Sequence, residues 1–119
     1  MKDRSVVFAP TSTATASAPE PGMQRQVLAY NQKVMLVRHH LSKGWEGTSH
    51  SHPHEQLGVV LRGELNLVVA GHEHPLREMD AYTLPGGLEH QAQAGPQGAL
   101  VLDVFQPVRE DYREAAASD

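Results

Sequence analysis

Between Gly44 and Gly63 the chain reads GWEGTSHSHPHEQLGVVLRG, which places His50, His52, His54 and Gln56 inside one short window. Neutral imidazole nitrogens bind ions of borderline softness, such as zinc, nickel, iron or manganese, and an amide oxygen can complete the set. Side chains alternate along an extended segment, so these four donors share one face until Pro53 distorts it. The chain has no cysteine, which removes thiolates and disulfides and leaves histidine and oxygen donors as the strong ligands. His54 is read as a neighbour of the ligands rather than one of them. His72 and His74 repeat the spacing on a predicted hairpin tip and are read as solvated. His39 and His40 end an apolar run, where one of the two must turn inward as a hydrogen-bonded core histidine.

Donors close together in sequence still need a rigid frame, and the composition points to short strands joined by turns. Ten glycines and eight prolines in 119 residues support that reading. From Arg25, RQVLAY, an Asn31-Gln32 turn and KVMLVRHHL predict a hairpin. QLGVVLR, a Gly63-Glu64 turn and ELNLVVA follow, and then the turn Gly71-His72. A charged turn from Arg77 to Asp80 leads into AYTLP, Gly86-Gly87 and His90, and a last turn, AGPQG, leads into ALVLDVFQ. The result is about nine or ten strands of about four to eight residues, an all-β sandwich or barrel. After Pro107 the segment VREDYREAAASD predicts a short C-terminal helix, with Glu110 and Asp111 where a helix N-terminus favours negative charge. Residues 1–22, rich in Ala, Ser, Thr and Pro, read as a flexible N-terminal segment, and residues 23–119 as one domain.

Period two along ALVLDVF puts Ala99, Val101, Asp103 and Phe105 on one face. A lone carboxylate in such a row is costly to bury, so Asp103 is placed at a polar cavity. Arg109 offers a fork suited to a carboxylate, either a substrate's or that of Glu110 or Asp111. Trp45 and Tyr82 are read as packing residues. Val34 to Val37, Leu57 to Leu61 and Leu65 to Ala70 are apolar on both faces, so a second face needs cover, and a homodimer would supply it. The net charge of -4 and the lack of a basic cluster argue against nucleic acid as a partner. No apolar run approaches the ~20 residues of a membrane span, and none at the N-terminus has signal-peptide length. A cytoplasmic location is the corresponding expectation.

The spacing resembles the cupin superfamily, whose first motif is Gly, five residues, His-x-His, three or four residues, Glu, six residues, Gly. Gly44, His50, His52 and Gly63 fall in place, with Gln56 where Glu usually stands. The second motif is Gly, five residues, Pro-x-Gly, two residues, His, three residues, Asn. Pro85, Gly87 and His90 match it, whereas Met79 and Ala94 depart. Met79 occupies a turn position where glycine reaches positive φ without strain. The resemblance covers about Val27 to Gln106 and implies a jelly-roll β-barrel. HSHPHEQ with LDVFQPVRED looks like the KdgF-type cupins of pectin degradation, which open and tautomerise 4,5-unsaturated uronates. That likeness implies one divalent metal ion held by His50, His52, Gln56 and His90, with catalytic Asp103 and Arg109, and Phe105 and Arg109 at a small anionic sugar-like substrate. A non-catalytic binding module and an iron-dependent dioxygenase are the alternatives. The neutral Gln56 argues against the second, because non-haem oxygenases usually include a carboxylate ligand.

Overall fold

The computed structural model describes residues 6–113. Among them are seven antiparallel strands: β1 (Ala16–Glu20), β2 (Met23–Tyr30), β3 (Met35–Leu41), β4 (Glu55–Val69), β5 (His72–Leu76), β6 (Ala81–Leu84) and β7 (Gln91–Gln106). Their order is β1, β2, β3, β7, β4, β5, with β6 beside the first half of β4. The expected β-barrel is therefore present, with fewer and longer strands than the turn signals suggest.

The difference comes from two glycines. Gly63 and AGPQG were read as turns, yet β4 and β7 run straight through them and stay paired on both sides. Both Gly63 and Gly98 have φ of 78°, and a Cβ on Gly63 would collide with the Gly98 carbonyl. The pair forms a bulged corner where the two strands bend together instead of ending.

Period-two alternation is clean where the barrel needs it. Met35, Val37, His39 and Leu41 on β3 point inward, as do Ala99, Val101, Asp103 and Phe105 on β7. The interior holds two apolar clusters. One contains Leu41, Val60, Leu65, Leu67 and Val101, and the other Met35, Val37, Phe105, Val108 and Tyr112. A cavity of about 320 Å³ is lined by residues of both. Outside, Leu36, Val104 and Leu57 lie abreast on β3, β7 and β4, and Leu102 lies beside Val59, which leaves an apolar strip partly open.

The boundary at residue 23 needs correction. Ala16–Glu20, inside the segment read as flexible, pairs with β2 from Ala16 opposite Gln26 to Glu20 opposite Met23. An edge strand needs only backbone partners on one side, so a stretch with little to bury can still join a sheet. At the other end Glu110 to Arg113 form a helical turn, and the remainder of the expected helix lies outside the described residues. Tyr112 packs edge-on against Phe105 with centroids 5.5 Å apart. No helix among the described residues is long and apolar enough to cross a membrane.

Candidate metal centre

The first histidine loop and the Pro85 to His90 loop are stitched together by backbone. His50 and His90 exchange both N–H to O bonds at 2.9 Å, and Gly87 N–H donates to the His52 carbonyl at 2.8 Å. An antiparallel pair of this kind sets its two side chains directly opposite one another. The His50 and His90 rings lie 4.5 Å apart between centroids, with His52 at 5.1 Å from His90. One nitrogen from each of these three residues lies within 4.8 Å of the other two. His52 and His90 are buried, and His50 is exposed at the mouth. His54 does not join them, because Pro53 breaks the strand alternation before β4 begins.

Each ring is oriented by a nearby carbonyl. Nδ1 meets Thr48 O at 3.0 Å in His50, His54 O at 3.1 Å in His52, and Leu88 O at 2.9 Å in His90. A carbonyl only accepts, so each Nδ1 carries the proton and each Nε2 is left as a lone pair. Burial holds His52 and His90 below the usual imidazole range, with Arg109 adding to the effect at His52. Both are therefore neutral at pH 7, the form that ligates.

Gln56 extends the set. Its Nε2 donates to Asp103 Oδ1 at 3.0 Å, which turns its Oε1 toward His52 Nε2 at 3.1 Å. With the His52 proton on Nδ1, these two atoms are both acceptors, and two lone pairs so close repel unless a cation lies between them. The four residues fit a divalent ion on that ground, three imidazoles and one amide oxygen.

Asp103 is 3% exposed. Burial would raise its pKa, but the His39 contact, with hydrogen bonds from Tyr82 and Gln56, brings it below the usual carboxylate range. His39 Nδ1 lies 3.0 Å from Oδ2, and the Tyr82 hydroxyl donates to Oδ1 at 2.5 Å. Burial, and then the neighbouring carboxylate, push the Tyr82 hydroxyl well above its ordinary range, so it keeps its proton. Gly58 makes this possible. It sits opposite Tyr82 on β6 and opposite Asp103 on β7, and a Cβ there would strike the phenol ring.

Phe105 stands edge-on to His52 at 5.8 Å and lines the same cavity. The Arg109 side chain is only 12% exposed and lines the same cavity, with Nε and Nη2 on the Asp111 carboxylate at 3.1 and 2.8 Å. Arg109 therefore faces the cavity while pairing with Asp111, one of the two acidic neighbours named as its partners. His72 and His74 are exposed on β5, as expected. Sequence reasoning missed Tyr82 as a partner of Asp103 and did not consider Arg25. The glycine at 58 was the available signal for Tyr82, because an aromatic side chain readily leans across a glycine on a neighbouring strand.

A cupin domain model matches residues 37–105. The pectin degradation protein KdgF of Dickeya dadantii (strain 3937) is 30% identical over 92 residues, covering 76% of this chain and 84% of that protein. The structure of KdgF from Halomonas sp. superimposes with a TM-score of 0.82 at 32% identity, covering 89% of this chain and 99% of the other. An RmlC-like cupin from Shewanella frigidimarina NCIMB 400 gives 0.83 at 32% identity, covering 91% and 96%. With the matched span enclosing Gln56, His90 and Asp103, this chain belongs to the cupin family and is a cupin of the KdgF type.

Proposed function

We propose that the protein is a metal-dependent isomerase of a small anionic sugar, opening and tautomerising 4,5-unsaturated uronates. The observation that carries this reading is a buried carboxylate held ionised, Asp103, on the wall of the cavity that the three histidines and Arg109 also line. The likeness to two KdgF proteins supplies the substrate class.

His50, His52, Gln56 and His90 would hold the ion, and a divalent cation there supplies Lewis acidity to a substrate oxygen. The reaction itself is a proton balance. The anomeric hydroxyl loses its proton as the bond between C1 and the ring oxygen breaks, giving an aldehyde and an enolate. The enolate becomes a ketone when C4 gains a proton, so one proton leaves and one returns. Asp103 is the base within this pocket, and the Tyr82 hydroxyl on its Oδ1 keeps that oxygen charged until a proton arrives. Gln56 links the two tasks, since one end of its amide faces His52 and the other holds Asp103. Arg109 attracts the carboxylate, and Phe105 excludes water beside His52. A homodimer, with the outer strip covered by a second copy, belongs to the same reading.

The test is to incubate metal-loaded protein with 4,5-unsaturated galacturonate and to follow loss of the conjugated absorbance. Acceleration that disappears in Asp103→Ala supports the assignment, and absence of acceleration over buffer removes it.

A further inference from the structure

Arg25 lies on β2 and was absent from the expected site, yet it lines the cavity with His39, Asp103, Phe105, Arg109 and Tyr112. Its guanidinium carbon stands 3.8 Å from the centre of the Tyr112 ring. Its Nε donates to His39 Nε2 at 3.0 Å, and its Nη2 reaches the Met23 sulfur at 3.6 Å. The first acceptor is a neutral nitrogen and the second a thioether. Among the described residues no carboxylate lies within ion-pair distance of it. Nη1 has no hydrogen-bond partner there either.

Arg109 is in the opposite state. It too rests on Tyr112, at 4.1 Å, but its Nε and Nη2 edge is committed to Asp111. A half-buried cation with open donors is the stronger attractor for an incoming anion, because a guanidinium fork prefers a carboxylate to any neutral acceptor. We infer that Arg25 recognises the carboxylate of the substrate, together with or ahead of Arg109, and so determines the preference for an acid over its neutral ester. This deepens the proposed uronate reading and rests on it.

The competing role is purely positional, with Arg25 steadying His39, which in turn meets Asp103. The two roles separate by substrate charge. With metal-loaded protein, KM and kcat are measured for 4,5-unsaturated galacturonate and for its methyl ester, and equilibrium binding for D-galacturonate and its methyl ester, in wild type, Arg25→Gln and Arg25→Lys. Recognition predicts that Arg25→Gln raises KM and Kd for the acids by about 10- to 100-fold while those for the esters change less than about threefold. Arg25→Lys keeps the charge without the fork, so it should retain part of the acid preference. An equal fall in kcat for acid and ester, with the acid preference intact, overturns the inference and leaves the isomerase standing. Loss of acid preference in binding by Arg25→Gln, in a wild-type protein that turns over neither substrate, supports Arg25 and removes the isomerase. A wild-type protein that binds acid and ester equally overturns the role of Arg25.

Discussion

His50 and His90 are 40 residues apart in sequence and face each other as one antiparallel backbone pair, both hydrogen bonds at 2.9 Å. Two candidate metal ligands are thereby fixed by main chain. His90→Ala should leave the fold intact and weaken divalent metal binding by more than about 100-fold, beyond the usual effect of an orienting partner. Metal analysis after dialysis, beside a circular dichroism spectrum, checks both halves of that expectation.

Acid should act on the same residues. His52 and His90 have folded pKa values below 6.5, mainly through burial, so between those values and 6.5 the unfolded chain binds more protons. Stability of the metal-free protein is therefore full above 6.5 and falls as pH drops through that window. Asp103, also depressed, adds a second loss below its ordinary 3.8. Thermal melts of the metal-free protein from pH 8 to pH 4 should decline monotonically; a rise between pH 6.5 and 5 would contradict the burial account.

Gly58→Ala tests the Tyr82 contact. The added methyl would occupy the space of the phenol ring, costing about 1–3 kcal/mol by overpacking and pushing the hydroxyl off Asp103. Activity on the unsaturated uronate should fall in the same direction as in Tyr82→Phe, while Asp103→Ala should lower kcat by about 10²- to 10⁴-fold. An active and stable Gly58→Ala protein would show that the contact contributes nothing.

Met79 has φ of 70° and is 69% exposed, a left-handed residue with little packing to justify its side chain. Glycine relieves that conformation, so Met79→Gly should stabilise the protein by about 1 kcal/mol, read as a rise in Tm of a few degrees. Unchanged or lower Tm would mean the Met79 side chain holds the turn in some other way.

The partly open strip of Leu36, Leu57, Val59, Leu102 and Val104 predicts a dimer in solution, with twice the 13.0 kDa chain mass by light scattering. Leu57→Asp should shift the population to monomer without unfolding it.

Much of the site was legible because its signals are local. His50 and His52 form a His-x-His pair with Gln56 four residues on, and Asp103 is conspicuous as the one charge in an apolar row. The His39 and His40 pair also resolved as reasoned, one buried and one exposed. What escaped were relationships between strands. Tyr82 looks like packing until Gly58 is seen between it and Asp103, and Arg25 has no meaning until β2 lies beside β3. The turns assigned to Gly63 and to AGPQG failed for a similar reason. Glycine permits positive φ equally in a reversal and in a bulge, and only the partner strand decides which is formed.

That corner has a larger consequence. Run straight, β7 would set Asp103 about 40 Å from His90, the residue just before the strand begins, more than a small sugar could span. Folded over at Gly63 and Gly98, the same ribbon brings both ends to a shared chamber. Two residues with no side chain, neither within reach of a ligand, thus decide whether the distant halves of one strand can cooperate in a reaction at all.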